Sequence, residues 1–189
     1  MNKEPKLLAI LGMTGSGKSV LVEMLCKQGI PKVHFGNMLY REMEKRGIER
    51  TLDGASENAF RKEIRKSEGN DWVGRQAVAE VKDLITAGKK RIVLDGLYSW
   101  TEYRLFKHEF PGMLTTVAVV APRALRYERL SKRPQRPFTP RDAQIRDYAE
   151  IEDTEKGGPI AIADYYILND GSLENLEANF SDILKEIAF

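Results

Sequence analysis

A glycine-rich stretch near the start of the chain has the residue types and spacing of a phosphate-binding loop. The segment Gly12-Met13-Thr14-Gly15-Ser16-Gly17-Lys18-Ser19 fits the pattern G-x-x-x-x-G-K-[ST] at every position. Glycines let the backbone turn tightly and aim successive N–H groups inward as a nest for an anion. Lys18 is expected to reach the β- and γ-phosphates of a nucleotide, and the Ser19 hydroxyl to bind Mg²⁺. The candidate nucleotide-binding residues of the loop are Gly12, Thr14, Gly15, Ser16, Gly17, Lys18 and Ser19.

The residues on either side of this loop predict the elements that hold it. Leu7–Leu11 is a continuous apolar run, which is typical of a strand buried on both faces of a parallel sheet. The segment after the loop has apolar residues along one helical face, and this helix is expected to begin at about Gly17. Its positive dipole end would then face the same phosphates. In this context the pattern predicts nucleotide binding rather than a glycine-rich turn without a ligand.

Further apolar runs predict the rest of the sheet: Val33–Phe35, Arg91–Leu94, Thr116–Val120 and Tyr165–Leu168. Each is followed by a turn signal, and the segments between them carry helical periodicity. Strands that alternate with helices predict a three-layer α/β sandwich with a parallel sheet. The 189 residues contain no internal repeat and no dividing linker, so we expect a single domain over residues 1–189.

Composition and charge narrow the classes of partner. The chain is 42% apolar and 31% charged, as globular proteins usually are, and its formal net charge is only +2. So small a charge argues against nucleic acid or a membrane surface as the partner. The single cysteine, Cys26, permits no internal disulfide and fits a reducing compartment. No apolar run has the length of a signal-peptide core or a membrane span, so we expect a cytoplasmic protein.

Asp95 is a second candidate for chemistry. It follows the apolar run Ile92–Leu94 and precedes Gly96, at the end of a predicted strand where ligands gather in open parallel sheets. In enzymes with a phosphate loop, such an aspartate holds Mg²⁺ through water or accepts the proton of the attacking hydroxyl. Both roles stay open, and the alternative is a turn-forming Asp-Gly without chemistry. Asp95 is therefore a candidate for catalysis and, together with Ser19, for metal binding.

A basic segment provides candidate residues for a lid. Residues 123–146 carry eight basic and two acidic residues, which leaves 22 basic and 26 acidic residues elsewhere in the chain. Residues 133–141 hold three prolines, and we expect an exposed basic loop there rather than a continuous helix. Arginines that arrive on closure stabilise charge on a transferring phosphoryl group. We therefore predict catalytic roles for Arg133 and Arg136 and a nucleotide contact for Arg129, against the alternative of a solvated charged face.

The phosphate loop, Asp95-Gly96, the basic loop and the closing segment 163–173 together resemble the P-loop kinases that include nucleoside monophosphate kinases and dephospho-CoA kinases. The likeness is greatest to the archaeal-type dephospho-CoA kinase-like branch, and it covers essentially the whole chain. It implies a P-loop NTPase fold with a five-stranded parallel sheet, an acceptor-binding helical region at about 36–88 and a mobile lid at about 130–145. It also implies ATP and Mg²⁺ as cofactors and a small-molecule acceptor, and it suggests that Asn169 touches the adenine.

The chain departs from this family where the acceptor phosphate is usually held. The family carries Gly-Asp and then an arginine, whereas this chain has Asn37 and Tyr40 at those positions. The arginine expected after Asp95-Gly96 is also missing, since the chain continues Leu97-Tyr98-Ser99-Trp100. Arginine binds phosphate with a planar fork, while tyrosine offers one hydroxyl and a ring. This favours an acceptor with less phosphate and more flat surface, unless another arginine has taken over the grip. The arginines open to that role are Arg41, Arg65, Arg75 and Arg104.

Some other residues carry weaker expectations. Tyr98 and Trp100 are expected in the acceptor pocket, where they would stack on a base. Trp72 either stacks there or packs beneath the helical region. The run Arg61–Lys66 mixes charges of both signs and is expected to be a solvated helix face.

The favoured function is transfer of the γ-phosphoryl group of Mg·ATP to a small-molecule acceptor, namely a nucleotide, a nucleoside or a dephospho-CoA-like compound. The alternative is a regulatory switch that binds ATP or GTP without an acceptor, which Asn37 and the missing arginines favour. The clustered lid arginines and the lack of an Asn-Lys-x-Asp motif oppose it. A kinase of nucleic-acid ends would need a longer basic track. The sequence leaves the oligomeric state open.

Overall fold

The computed structural model describes residues 4–51, 55–135 and 137–189, so Arg136, a predicted catalytic residue, lies outside the described residues. The strands are β1 (Lys6–Leu11), β2 (Lys32–His34), β3 (Arg91–Asp95), β4 (Leu114–Val120) and β5 (Tyr165–Leu168). The helices are α1 (Lys18–Lys27), α2 (Phe35–Lys45), α3 (Ala55–Glu68), α4 (Trp72–Thr86), α5 (Trp100–Glu109), α6 (Arg123–Ser131), α7 (Pro140–Glu152), α8 (Gly157–Ala161) and α9 (Leu173–Glu186). Among the described helices, none combines the length and the apolar character needed to cross a bilayer.

The five strands form one parallel sheet in the order β2-β3-β1-β4-β5. Strand β1 lies at its centre, and the register pairs Ile10 of β1 with Asp95 of β3 and with Val117 of β4. Because parallel strands end at the same edge of a sheet, the loop after β1 lies beside Asp95. The predicted five-stranded parallel sheet of a P-loop fold is confirmed.

The sheet is buried on both faces, as the continuous apolar run of β1 predicts. Leu7, Ala9 and Leu11 face a core formed with α2, α4 and α5. Leu8 and Ile10 face a second core formed with α1 and α9. Helices therefore cover both sides of the sheet, which confirms the predicted three-layer α/β/α sandwich.

The strands whose boundaries differ most from the sequence-based expectation are β2 and β4. Phe35, predicted to end a strand, is the first residue of α2, because His34 caps that helix and accepts a hydrogen bond from Asn37 N–H at 3.1 Å. Strand β4 begins at Leu114 rather than Thr116, because Leu114 and Thr115 continue the ladder by pairing with Leu7 and Leu8 of β1. Neither change moves the carboxyl edge of the sheet, so the predicted site keeps its place.

The predicted basic loop is shorter than expected. Pro140 and Arg141 belong to α7, since proline is tolerated in the first turn of a helix, where its missing N–H has no partner in any case. Thr139 and Asp142 form a capping box at the start of this helix. The last residues of the segment 133–141 are therefore helical despite its three prolines. The basic segment supplies a short connection followed by a well-capped helix.

Phe106 of α5 provides a test of how much the first core contributes to stability. Its side chain is fully buried, and its ring centroid lies 5.4 Å from those of both Phe35 and Phe110. Phe106→Ala should lower the free energy of unfolding by about 3–5 kcal/mol, measured by urea denaturation, because it leaves a cavity between α5 and the sheet. Arg104→Ala on the exposed face of α5 is the matched control and should stay within about 0.5 kcal/mol. Equal effects of the two substitutions would contradict this account of the core.

Candidate active site

The phosphate loop joins β1 to α1 through glycines that no other residue type could replace without a shift of the backbone. Gly12 and Gly17 have φ angles of +140° and +103°, which L-residues with side chains rarely adopt. A Cβ at Gly17 would overlap the side-chain nitrogen of Asn169, and one at Gly12 would overlap the backbone oxygen of Val119. Helix α1 begins at Lys18, one residue after the predicted start. The loop is thus held closely between β4 and the turn that follows β5.

Arg129 and Asn169, both predicted to contact the nucleotide, meet beside this loop. Asn169 Nδ2 donates a hydrogen bond to the backbone oxygen of Ser16 at 2.7 Å, and Arg129 Nη2 donates to Asn169 Oδ1 at 3.2 Å. Arg129 Nη1 and Ser16 Oγ are buried, and neither makes a hydrogen bond within the part of the chain that the structure describes. Asn169 therefore braces the loop, and Arg129 keeps one donor that a ligand can use.

Lys18 lies in a setting that lowers its pKa. Its Nζ donates a hydrogen bond to the backbone oxygen of Met13 at 3.0 Å. Burial, followed by the nearby charge of Lys156, lowers the pKa of Lys18 to about 7, and the charges of Glu150 and Asp95 only partly oppose this. An anion placed against the loop would stabilise the charged form of Lys18 and raise this pKa.

Glu150 of α7, which the sequence analysis did not single out, fills part of the loop. Its side chain is 1% exposed. The backbone N–H of Thr14 donates a hydrogen bond to Glu150 at 3.0 Å, and the Thr14 hydroxyl donates a second one. Lys156 Nζ and Arg146 Nε lie 2.5 Å and 3.1 Å from the same carboxylate. A carboxylate of the chain itself therefore occupies donors with which the loop is expected to bind phosphate.

The charges of Glu150, Lys156 and Arg146 influence one another. Burial on its own would raise the pKa of Glu150, but the charge and hydrogen bond of Lys156, with Thr14 and Arg146, lower it to about 2. Burial lowers the pKa of Lys156 to about 8, against the opposing effect of Glu150. Glu150 is consequently ionised throughout the physiological pH range, whereas Lys18 and Lys156 titrate within or close to it.

A buried ion pair fixes α7 against the loop. Arg126 of α6 donates two hydrogen bonds to Asp147, at 2.7 Å and 2.6 Å, and a third to the backbone oxygen of Thr14 at 3.1 Å. The paired fork geometry is the strong form of such an interaction. Because Asp147 and Glu150 lie one turn apart on α7, the same pair directs the Glu150 carboxylate into the loop.

The sequence carries only a weak signal for Glu150 and Lys156. The four-residue spacing from Arg146 to Glu150 is readable, but it is also the ordinary spacing of an exposed ion pair on a helix. Lys156 follows α7 in a polar turn and matches no motif. Only the packing of α7 on the phosphate loop distinguishes these two residues from surface charges.

Asp95 and Ser19 lie at the same edge of the sheet. Asp95 ends β3, and its Oδ2 lies 3.8 Å from both Lys32 Nζ and His34 Nε2. Ser19 is exposed in the first turn of α1. No group of three or more acidic, histidine or cysteine side chains gathers as a metal site in the described residues. One hydroxyl and one carboxylate nevertheless fit Mg²⁺, which takes few protein ligands when it also binds phosphate oxygens and water.

The predicted lid arginines have different surroundings. Arg133 is exposed in the connection between α6 and α7, yet burial of its charged end and the charge of Arg146 lower its pKa, while Glu150 opposes this. The charge of Arg133 also acts on Lys18. Arg133 is therefore near enough to Lys18 for its charge to act there, and its catalytic role stays a prediction.

The run Arg61–Lys66 is not simply a solvated face, which corrects the sequence-based expectation. Ile64 is fully buried on the other side of α3. Arg61 and Arg65 line a cavity of about 780 Å³ between α3 and α7. Of the four arginines left open for the acceptor, Arg41 pairs with Glu80 at 2.7 Å, Arg75 pairs with Asp71, and Arg104 is exposed. Arg65 is thus the one of the four that faces this cavity.

The aromatic residues Trp72, Tyr98 and Trp100 do not line the cavity between α3 and α7. Trp72 packs against the hydrophobic core. Trp100 stacks on Tyr103 with ring centroids 5.5 Å apart. The ring of Tyr98 is covered by Lys156 Nζ, which lies 3.9 Å from its centroid. Tyr98 therefore contributes to holding Lys156 beside Glu150.

Comparison with known proteins places the chain in a family. A family model described as an AAA domain matches residues 8–155. A UPF0200 protein from Thermococcus kodakarensis is 36% identical over 184 residues, which cover 96% of this chain and 97% of that protein. The chain belongs to the AAA domain family and to the UPF0200 proteins. A second UPF0200 relative, from Sulfurisphaera tokodaii, is 35% identical over 188 residues, again covering 96% and 97%.

Solved structures similar to this UPF0200 chain establish its fold. The TT1252 protein from Thermus thermophilus has a TM-score of 0.66 at 22% identity, covering 97% of this chain and 98% of its own. A shikimate kinase from Bacteroides thetaiotaomicron has a TM-score of 0.61 at 14% identity, with coverages of 97% and 99%. A gluconokinase from Sinorhizobium meliloti has a TM-score of 0.54 at 18% identity, with both coverages 99%. The P-loop kinase-like fold is confirmed, whereas the narrower likeness to dephospho-CoA kinases stays a prediction.

The first prediction concerns Glu150. Its carboxylate competes with a triphosphate for Thr14 and repels it. Glu150→Gln should therefore bind ATP at least about tenfold more tightly, which corresponds to about 1.4 kcal/mol for removal of the like charge. Titration calorimetry measures this affinity. Glutamine keeps an oxygen that accepts from Thr14. Glu152→Gln, on the exposed side of α7, is the control and should leave the dissociation constant unchanged. Weaker binding by Glu150→Gln would show that the carboxylate assists the nucleotide instead.

The second prediction follows from the pKa values of about 7 for Lys18 and about 8 for Lys156. Above these values the two groups lose their protons, and a bound triphosphate favours the charged forms. ATP binding at pH 8 should therefore take up ~1 proton, and uptake by these lysines should fall toward zero at pH 6, where both are already charged. Calorimetry in buffers of different ionisation enthalpy measures this number. Lys18→Met should remove the share of Lys18, and equal uptake at both pH values would contradict the assignment.

Proposed function

We propose that this chain transfers the γ-phosphoryl group of ATP to a small-molecule acceptor. The observation that carries the proposal is the phosphate loop itself, which ends the central strand of the sheet and already holds an anion, the carboxylate of Glu150, on Thr14. A loop that captures a carboxylate from its own chain has donors suited to a phosphate. The named kinases among the structural relatives, a shikimate kinase and a gluconokinase, support this class of reaction through their shared fold.

Different residues of the chain bind different parts of the nucleotide. The loop amides and Lys18 bind the phosphates, and Arg129 offers the free Nη1 beside Asn169. Ser19 and Asp95 hold Mg²⁺, which when bound neutralises charge on the phosphate oxygens. Asp95 is close enough to Lys18 for its charge to raise the pKa of that lysine, which supports the proposal that both act at the reacting end of the nucleotide.

In the transfer step an acceptor oxygen forms a bond to the γ-phosphorus while the bond from that phosphorus to the bridging oxygen breaks, and ADP leaves. The proton of the acceptor hydroxyl passes to the Asp95 carboxylate or to water. Arg133, and Arg136 beyond the described residues, are proposed to approach the transferring group when the connection between α6 and α7 closes. The acceptor is a nucleotide, a nucleoside or a dephospho-CoA-like compound.

A regulatory switch that binds the nucleotide without an acceptor is the second candidate. The observation that favours it is the occupied loop, because displacement of Glu150 from Thr14 would let nucleotide binding move α7. The cavity beside α7 favours the phosphotransferase, since a switch has no need of a second small-molecule site.

Release of ADP from Mg·ATP tests the proposal directly. The rate is measured first without an acceptor and then with a panel of nucleoside monophosphates, nucleosides and dephospho-CoA. We expect one class to stimulate release, and Lys18→Ala to reduce the stimulated rate at least about 100-fold, because it removes a buried charge from the transferring phosphates. Lys185→Ala on the exposed side of α9 is the control.

The two candidate functions give different results in this assay. Stimulation by a panel member supports the phosphotransferase, whereas tight ATP binding with a flat panel supports the switch. An unchanged rate in Lys18→Ala, with the native circular dichroism spectrum, would rule out the loop as the site of the reaction.

A further inference from the structure

The cavity between α3 and α7 adjoins the phosphate loop. It has a volume of about 780 Å³, within the range of small-molecule sites. Side chains from both helices line it, and Glu150 is among them. Because the same Glu150 carboxylate accepts hydrogen bonds from Thr14, one end of the cavity lies next to the loop. A molecule bound there is placed beside the expected position of the γ-phosphate.

Four of the charged residues that line the cavity form ion pairs with one another. Lys62 pairs with the Asp153 carboxylate at 3.5 Å, and Arg146 pairs with Glu150, which also binds Lys156. Arg65 donates a hydrogen bond to a backbone oxygen, that of Asp153, so its own charge is not neutralised by that contact.

Arg65 and the exposed Lys66 have no carboxylate partner among the described residues, and neither has the half-buried Arg61. Its one hydrogen bond among those seen in the described residues goes to the neutral side chain of Asn58, at 3.2 Å, and no described carboxylate lies within 4.0 Å of its guanidinium. Burial, followed by the charges of Arg146 and Arg65, lowers the pKa of Arg61. The guanidinium groups of Arg61, Arg65 and Arg146 thus line one cavity, together with the carboxylates of Glu150, Glu152, Asp153 and Glu155. Taking a charge such as that of Arg61 out of water without a partner is costly. An anion in the cavity would remove that cost.

We propose that this cavity binds an anionic group of the phosphoryl acceptor, with Arg61, Arg65 and Arg146 as the residues that hold it. The inference rests on the proposed phosphotransferase function and specifies its acceptor. A planar guanidinium fork fits phosphate and carboxylate alike, so the shared chemistry is an oxyanion with two or three equivalent oxygens. An uncharged nucleoside lacks such a group and is excluded as the acceptor.

This assignment accounts for the departures at the usual acceptor positions. The chain has Tyr40 and Leu97–Trp100 where the resembled kinases carry arginines, and Tyr98 is occupied in covering Lys156. The arginine grip lies instead on α3 and on α7, one helix to each side of the cavity. A long acceptor can reach from there to the loop, with its hydroxyl toward Thr14 and its anionic group toward Arg61.

Binding of matched small molecules tests the proposal without turnover. Glycerol 3-phosphate, glycerate and glycerol share a three-carbon skeleton and differ in the presence and kind of anion. Each is titrated by ligand-observed NMR at fixed salt into the full chain saturated with Mg²⁺ and a non-hydrolysable ATP analogue, so that the phosphate loop is occupied. We expect at least one anion to bind and glycerol not to bind. Preference for the phosphate or for the carboxylate identifies the kind of acceptor.

Substitutions link that binding to the cavity. Arg61→Gln should weaken binding of the preferred anion at least about tenfold and leave the affinity for the ATP analogue unchanged. Arg104→Gln, on the exposed face of α5, should change neither affinity. Should Arg61→Gln fail to fold, Arg65→Gln serves as the second variant with the same expectation.

The outcomes separate the two proposals. Absence of anion binding, equal binding of glycerol, or an unaltered affinity in the folded Arg61→Gln and Arg65→Gln variants would overturn the acceptor site while the nucleotide site stands. Failure of the ATP analogue to bind would overturn the proposed function. The titrations of the three small molecules are repeated without nucleotide on the Lys18→Ala variant, whose loop lacks the lysine that is proposed to bind phosphate. The cavity is therefore tested even if the ATP analogue does not bind.

Discussion

A nest of inward N–H groups beside a buried ammonium must be balanced by negative charge, and in this chain Glu150 supplies it from α7. The carboxylate binds Thr14 and Lys156 and lies close enough to Lys18 to act on its pKa. Removing any one charge from such a group leaves another buried without compensation, which costs more than the intact cluster contributes. Burial lowers the pKa of both lysines, and the charge of Glu150 only partly opposes this. The pKa of Glu150 is lowered against its own burial by Lys156, Thr14 and Arg146.

The position of α7 follows from the same constraint. Arg126 binds Asp147 with both nitrogens of its fork and also contacts the backbone of Thr14, so α6, α7 and the loop meet at one guanidinium. A capping box at Thr139 lets α7 start immediately after the short basic connection. The helix consequently presents Asp147 and Glu150 to the loop and Arg146 to the cavity. One rigid element thereby borders both the nucleotide site and the proposed acceptor site.

The features that the sequence predicted well are those encoded by neighbouring residues. Leu7–Leu11 has no polar alternation and so had to be a strand buried on both faces, and the glycines of the loop have φ values that other residues avoid. Glu150 and Arg61 could not be read in the same way, because each looks like one charge in a polar helix. Their meaning arises only from contacts distant in sequence, 136 residues between Thr14 and Glu150, and from the approach of α3 to α7. Hydrophobic periodicity sets which face of α3 is buried, but not which charge of its polar face meets another helix.

Under the proposed function, one carboxylate links the two sites. A triphosphate on the loop supplies the negative charge that Glu150 now contributes, and two like charges on the same donors repel each other. If Glu150 withdraws from both Thr14 and Arg146, Arg146 loses its partner at 3.1 Å. Like Arg61 and Arg65, it then has no carboxylate partner among the described residues. The cavity then binds an anion more tightly, because the triphosphate on the loop has displaced the Glu150 carboxylate. The coupling between the two sites is reciprocal. An acceptor anion that draws Arg146 away from Glu150 removes one of the contacts that keep the Glu150 carboxylate on the loop, where it competes with the nucleotide.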